Sequence, residues 1–237
     1  MILKIEHGGH PLELLPSGAI LWESTLFVAD LHLGKETVFQ KAGVAIPSGA
    51  TQATLQRLLG LIDQHRVERL VVLGDLFHAP TGWTPELAEA LTEGVRKYPG
   101  TQWELVVGNH DRRSHGRLTE LGWLVHPSTV VENRMQWLHD PMELASDHGL
   151  TTPSASNNVT TSLAGHLHPS FKVPIEIKRS IRTRCFWIQP KLIVLPAFGG
   201  WVGTHPIEPQ RCDRVILCVE NELIEWKVDH DLRRSSD

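Results

Sequence analysis

Three apolar segments that each end in polar side chains constrain the fold of this chain more than any other feature. Residues 25–30 (TLFVAD) and 69–75 (RLVVLGD) both end in an aspartate, and residues 102–111 (QWELVVGNHD) end in asparagine, histidine and aspartate. Their apolar and β-branched composition is typical of buried strands. The carboxyl ends of parallel strands meet beside one crevice, so we expect these polar groups to gather there.

Two helices are predicted between these strands. Apolar residues recur at helical spacing over 48–64, with Ser48 as a plausible N-cap. A second helix is expected from Thr84 to about Tyr98, with Pro85 in its first turn. The resulting order β-α-β-α-β predicts parallel strands joined by crossover helices.

The second half of the chain has a different pattern. Its apolar runs are short and predict mainly antiparallel strands, at 134–138, 162–164, 172–177, 192–195, 215–219 and 223–228. The last two are expected to form a hairpin across Glu220 and Asn221. The polar stretch 151–162 (TTPSASNNVTTS) predicts a flexible surface loop. We therefore expect residues 1–237 to form a single α/β domain, a sandwich with a mostly antiparallel second half.

The composition is typical of a soluble globular protein. With 23 basic and 27 acidic side chains, the formal net charge is −4, so no global positive field attracts nucleic acid. The three cysteines form no C-x-x-C pair, which fits a reducing compartment. The N-terminal stretch MILKIEHGGH lacks the apolar core of a signal peptide, and no apolar run is long enough to cross a bilayer. A cytoplasmic location without membrane contact is expected.

Five polar clusters follow one another along the chain and together indicate a metal site. They are Asp30-x-His32, Gly74-Asp75, Gly108-Asn109-His110-Asp111, His139 and Gly165-His166-Leu167-His168. Their carboxylate, amide and imidazole groups suit Mn²⁺, Fe or Zn²⁺, and the lack of thiolates argues against a thiolate-rich structural zinc site. Two metal ions about 3.5–4 Å apart need a shared ligand, and a carboxylate is a natural bridge. The hypothesis is a dinuclear centre.

These clusters resemble the motifs of the calcineurin-like metallophosphoesterase superfamily over about residues 25–203. The longer strings ADLHLGKE, VLGDLFHA, GNHDRR, GHLHPSF, CFW and LPAFGGWVG are similar, more narrowly, to the ligase-associated DNA-damage-response endonucleases called PdeM. The resemblance implies a sandwich of two mixed β-sheets flanked by helices. It also implies seven metal ligands, with the first ion held by Asp30, His32 and His168, the second by Asn109, His139 and His166, and both bridged by Asp75.

The function implied by the resemblance is hydrolysis of phosphodiester bonds, with Mn²⁺ as the expected metal and Fe or Zn²⁺ as alternatives. A hydroxide bridging the two ions would attack phosphorus, and His110 would protonate the leaving oxygen. The expected substrate is single-stranded DNA, cut internally during repair, in association with an ATP-dependent DNA ligase and a helicase. A small-molecule or nucleotide phosphodiesterase or phosphatase is the alternative. A non-catalytic interaction module is disfavoured because His110 and all seven ligand positions are filled.

Two further residues are expected to act with His110. Asp111 is predicted to fix the tautomer and charge of the His110 imidazole through a hydrogen bond. His78 is a second candidate near the leaving group, and a supporting or loop position is its alternative role. His148 rivals His139 as a metal ligand, but His139 is preferred because it follows a predicted strand.

Three basic side chains are candidates for contacts with substrate phosphates, namely Arg112, Arg113 and Lys35. A guanidinium can hold a phosphate with two hydrogen bonds, although solvated surface is the alternative for all three. The basic segment 177–184 (IKRSIRTR) is either a track for a nucleic-acid backbone or a charged hairpin tip.

Overall fold

Two mixed β-sheets pack face to face in the computed structural model, which describes residues 1–146, 158–176 and 179–227. Helices lie along the first sheet and cover the face that is turned away from the second. The predicted fold class, an α/β sandwich of two mixed sheets flanked by helices, is confirmed.

The first sheet follows the order of the sequence. Within the described residues its seven strands are β1 (Leu3–His7), β2 (His10–Leu14), β3 (Ile20–Trp22), β4 (Thr25–Val28), β5 (Arg69–Leu73), β6 (Gln102–Val106) and β7 (Leu124–His126). Strands β4 to β6 are parallel, as the β-α-β-α-β pattern predicts, and β7, which lies outside the predicted elements, adds a further parallel strand. Strands β1 to β3 are antiparallel and lie outside the predicted elements.

The first four helices connect the parallel strands of this sheet, and the fifth lies in the second half of the chain. Those that the structure describes are α1 (Lys35–Lys41), α2 (Ala50–His65), α3 (Pro85–Lys97), α4 (Gly116–Glu120) and α5 (Glu143–Ser146). Helix α3 begins as predicted, because Thr84 caps it by accepting a hydrogen bond from the Leu87 amide at 3.2 Å. The predicted N-cap at Ser48 is wrong: α2 is preceded by Gly49 in a left-handed conformation. No helix in these ranges is long and apolar enough to cross a membrane.

The second sheet combines antiparallel and parallel pairs. In the described ranges its strands are β8 (Val130–Glu132), β9 (Met135–Leu138), β10 (Thr161–Ala164), β11 (Pro169–Glu176), β12 (Arg179–Ile188), β13 (Leu192–Val194), β14 (His205–Pro206), β15 (Arg214–Val219) and β16 (Glu222–Trp226). The hairpin across Glu220 and Asn221 is confirmed. Most pairs are antiparallel, but β10 is parallel to both of its neighbours, β9 and β13.

The polar stretch predicted as a loop is described only at its end. Residues 151–157 and the rival ligand His148 lie outside the described residues. At the other end, Thr161 and Ser162 belong to β10 rather than to a loop. Both are buried, and Thr161 donates its hydroxyl hydrogen bond to the His7 carbonyl at 2.8 Å, which ties this strand to the end of β1.

The core between the two sheets is apolar. Phe27 of β4 and Trp137 of β9 are fully buried, with ring centroids 5.2 Å apart and an edge-to-face geometry. Burial of a large apolar side chain contributes about 1.5–3 kcal/mol to the stability of the folded protein, so contacts of this kind hold the sheets together. The carboxyl ends of β4 to β6 consequently meet those of β9 and β10 at one crevice.

Candidate metal centre

The predicted ligands lie on turns that directly follow five strands. Asp30 and Asp75 are two residues beyond β4 and β5, Asn109 is three beyond β6, His139 follows β9 at once, and His166 is two beyond β10. Five of the seven predicted ligands have a positive φ, from 45° to 69°: Asp30, His32, Asp75, His166 and His168. A left-handed backbone costs a non-glycine residue roughly 1–2 kcal/mol. Strain concentrated in one crevice is typical of a functional site.

The first ligand group consists of Asp30, His32 and His168, whose ligand atoms lie within 4.8 Å of one another. The Nε2 atom of His168 is 3.4 Å from both Asp30 Oδ1 and His32 Nε2. The other ring nitrogen of His168 donates to the Gly203 carbonyl at 3.0 Å. That hydrogen bond directs Nε2 towards the group, as in histidines that bind metals.

The second group consists of Asp75, His139 and His166, again within 4.8 Å. His139 donates from Nδ1 to the Leu73 carbonyl at 3.0 Å, so its Nε2 faces the crevice. There it lies 3.0 Å from His166 Nδ1 and 2.9 Å from the amide oxygen of Asn109. The amide oxygen of Asn109, a predicted ligand, therefore lies beside this group.

The carboxylate of Asp75, a member of the second group, also faces the first group. Its Oδ2 is 3.8 Å from His32 Nε2 in the first group, and its Oδ1 is 3.5 Å from His139 Nε2 in the second. The side chain is almost fully buried. Each oxygen thus faces a different group, which is the arrangement that a bridging ligand requires.

The electrostatics of the crevice suit metal cations. Burial, together with the neighbouring His168, His110 and His78, lowers the pKa of His32 to about 2. A neutral imidazole is the form that binds a metal. Burial alone would also lower the pKa of His168, but the hydrogen bond and charge of Asp30 raise it. The close imidazoles, carboxylates and amide fit Mn²⁺, Fe or Zn²⁺.

His110 stands beside these groups with one ring nitrogen committed to the backbone. Its Nδ1 donates to the His78 carbonyl at 2.5 Å, and its Nε2 lies 3.9 Å from Asp75 Oδ2. Its amide donates to Asp75 Oδ1 at 3.0 Å, and 37% of its side chain is exposed. The Nε2 atom therefore points into the open crevice.

The expectation that Asp111 orients His110 through a hydrogen bond is wrong. The Asp111 carboxylate is fully buried and accepts three backbone hydrogen bonds, from Gly108, Leu76 and Phe77, at 3.0–3.3 Å. Burial raises its pKa to about 6, although these hydrogen bonds oppose the rise. Asp111 instead ties the turn after β6 to the turn after β5, and the His78 carbonyl orients His110.

His78 contacts both a predicted ligand and His110. Its Nδ1 is 3.4 Å from His32 Nδ1, and its ring stacks on His110 with centroids 5.3 Å apart and an interplanar angle of 18°. Burial, Lys35 and His110 lower its pKa to about 4. His32, His78 and His110 form a third group of nitrogens within 4.8 Å, which shares His32 with the first.

The three basic candidates lie at the rim of the centre. Arg112 and Arg113 are exposed and line a cleft of about 380 Å³ together with His110. Arg112 also lines a second cleft, of about 460 Å³, that contains His139. Lys35 lies near His32, and burial lowers its pKa.

Asp140 is not among the residues predicted from the sequence, yet its Oδ2 is 3.7 Å from His166 Nε2. The sequence feature that could have identified Asp140 is its position directly after the predicted ligand His139. Of the basic segment 177–184, residues 177 and 178 lie outside the described residues. Arg182 is exposed on β12, whereas Arg184 is half-buried and donates to the Pro16 carbonyl at 3.2 Å.

Comparison with known proteins shows that this chain is similar to phosphoesterases. The family model described as calcineurin-like phosphoesterase matches residues 24–191. The nuclease MPE of Pseudomonas putida has a similar structure, with a TM-score of 0.77, 30% identity, and coverage of 95% of this chain and 100% of that one.

Weaker structural similarities extend to two other proteins. A protein of unknown function from Aquifex aeolicus has a TM-score of 0.43 at 18% identity, covering 61% of this chain and 78% of its own. The phosphoesterase Yfce from E. coli has a TM-score of 0.41 at 17% identity, covering 84% of this chain and 96% of its own. No curated protein sequence matches significantly.

Proposed function

We propose that this chain, which belongs to the calcineurin-like phosphoesterase family, is a two-metal phosphodiesterase that hydrolyses DNA and cuts single strands internally. The observation that carries the proposal is the pair of ligand groups joined by Asp75, with His110 beside them. The two groups would each hold one divalent cation, and Mn²⁺ is the expected metal.

Bound divalent cations would lower the pKa of a coordinated water and neutralise the charge of a phosphoryl group. The chain itself supplies the arrangement of ligands and a proton donor. Because Nδ1 of His110 is committed to the His78 carbonyl, the protonated ring would donate from Nε2 into the crevice. A proton delivered there to the leaving oxygen allows an alcohol to depart instead of an alkoxide, a role that contributes typically 10²–10⁴-fold.

Three observations favour a polymeric substrate. The nuclease MPE covers nearly the whole chain at 30% identity. The centre is open, with clefts that contain His110 and His139 and share Arg112. Lys172 and Arg182, both exposed, lie directly opposite each other on β11 and β12. Like charges in this position destabilise a sheet, and a phosphate bound between them would relieve the repulsion.

A role in DNA repair, with an ATP-dependent DNA ligase and a helicase as partners, is part of the proposal. It is supported by the similarity of the strings around the ligands to the ligase-associated endonucleases. Association of the purified proteins can be measured directly, for example by analytical ultracentrifugation.

The proposal is tested by a cleavage assay with purified protein. Circular single-stranded and double-stranded DNA would be incubated with Mn²⁺, Fe²⁺ or Zn²⁺, with Asp75→Asn as the inactive control. We expect Mn²⁺-dependent nicking of the single-stranded circle by the wild type alone. Metal-loaded wild-type protein that leaves all DNA intact would refute the nuclease function. If it instead hydrolysed nucleotides or small diesters, the alternative activity would be correct.

A further inference from the structure

Trp201 is an exposed aromatic residue close to the metal centre. The described ranges contain all eight tryptophans, and Trp201 is the exposed one, at 49%, whereas the others are buried or half-buried. Single exposed apolar side chains are common on protein surfaces, but tryptophan is enriched among the residues that dominate binding energy at interfaces. The position of Trp201 indicates what it binds.

The loop that carries Trp201 is anchored at both ends to the first ligand group. The Gly199 amide donates to the Asp30 carbonyl at 3.1 Å, and the Gly203 carbonyl accepts a hydrogen bond from the His168 ring at 3.0 Å. Gly199 also packs so closely that a Cβ there would lie 2.4 Å from the Leu31 carbonyl oxygen. The exposure of Trp201 therefore belongs to a loop that is held in place against two predicted metal ligands.

A second exposed ring, that of Phe39 on helix α1, lies in the same region. Trp201 lines a small cleft together with His32 and Lys35. The Lys35 ammonium is 5.9 Å from the centroid of Phe39, which is 37% exposed. The Phe39 ring in turn stacks on His78, with centroids 5.8 Å apart and an angle of 22°. Lys35 is thus close to both exposed rings and to the metal ligand His32.

We infer that Trp201 is a stacking platform for a nucleobase of single-stranded DNA that flanks the cleaved phosphate, with Phe39 as a second apolar surface for the chain. This inference rests on the proposed function and adds a physical reason for a preference for single-stranded over double-stranded DNA. Bases in a duplex are already paired and stacked, so only an unpaired base can lie on Trp201. Lys35 is placed to contact the phosphate between the two rings.

Stacking also accounts for binding by an acidic protein. The net charge of −4 gives no long-range attraction for DNA. Base–aromatic stacking contributes enough to change affinity by about 5- to 150-fold per base, and it depends little on base identity. A nuclease of this kind is expected to cut single strands with little sequence preference.

Three substitutions at Trp201 test the inference by steady-state cleavage of a single-stranded oligonucleotide with Mn²⁺. Trp201→Ala is expected to raise KM about 5- to 150-fold, with kcat and bound Mn²⁺ unchanged. Trp201→Phe keeps a ring and should retain most of the affinity, whereas Trp201→Leu keeps an apolar side chain without a ring and should lose it. Ile224→Ala, at a comparably exposed apolar residue on edge strand β16, is the control.

A second measurement locates the base. A series of oligonucleotides would each carry one abasic nucleotide, placed at a different position across the cleavage site. Wild-type protein should bind one of them weakly, namely the one that lacks the stacked base. Trp201→Ala should bind all of them equally. Equal KM values for the phenylalanine and leucine variants, or the same abasic profile in wild type and Trp201→Ala, would overturn the platform. Failure of the wild type to cut any DNA would refute the proposed function itself, which is a separate result.

Discussion

Substitution of Gly74 by alanine is a sharp test of the proposed metal centre, because it perturbs a proposed ligand without removing it. Gly74 lies between β5 and Asp75 and has a φ of +77°. A Cβ at this position would be 2.2 Å from Nδ1 and 2.4 Å from Cγ of His139. The imidazole must therefore move, and it loses the hydrogen bond from Nδ1 to the Leu73 carbonyl that directs Nε2 towards the crevice.

Gly74→Ala is expected to affect both the stability of the protein and its affinity for Mn²⁺. The left-handed backbone costs an alanine roughly 1–2 kcal/mol of folding free energy. Loss of the hydrogen bond that orients a metal-binding histidine typically lowers metal affinity 10–100-fold, and displacement of the ring itself adds to this. We expect Gly74→Ala to bind Mn²⁺ at least about tenfold more weakly at the group of Asp75, Asn109, His139 and His166, while the first group keeps its affinity.

Gly122→Ala is a matched control for the backbone effect. Gly122 has a φ of +85°, but no atom lies within 4 Å of the position of its Cβ. Isothermal titration with Mn²⁺ and the cleavage rate at limiting Mn²⁺ would be measured for both variants. If Gly74→Ala bound Mn²⁺ as tightly as Gly122→Ala does, His139 would not be a ligand and the proposed second group would be incorrect.

Two other substitutions test separate parts of the structure. His110→Ala should lower kcat for DNA about 10²–10⁴-fold but affect a nitrophenyl ester much less, because nitrophenolate leaves without a proton; equal losses for both esters would contradict a role as proton donor. Glu104→Ala should lower the free energy of unfolding in urea by about 1–3 kcal/mol, since its buried carboxylate pairs with Arg69, which keeps Glu132 as a partner, and with His126 at 2.7 Å. Glu225→Gln, which alters an exposed ion pair, should lower the free energy of unfolding by less than about 1 kcal/mol. Similar decreases for Glu104→Ala and Glu225→Gln would be inconsistent with this account.

Much of the fold and of the centre was predictable because the signals are local. Burial of strands β4 to β6 follows from their runs of apolar residues, and helix α3 follows from Thr84 and Pro85 at its start. The ligand types of Asp30, Asp75 and Asn109 are equally a property of the sequence, since each ends a predicted strand. The strands β1 to β3 were missed, although β1 (LKIEH) and β2 (HPLEL) alternate between buried and more exposed residues, which is the available signal for half-buried strands.

The partners of the side chains were decided by the tertiary structure alone. Asp111 follows His110 in the sequence, which suggested a hydrogen bond between them. The packing of the turns after β5 and β6 instead gives Asp111 the amides of Leu76 and Phe77, and it gives His110 the carbonyl of His78, 32 residues away. The sequence by itself determined which atoms can bind a metal or donate a proton. Only the pairing of β4 with β5, β5 with β6 and β9 with β10 determined which of those atoms meet, because strand register sets the positions of residues far apart in the chain.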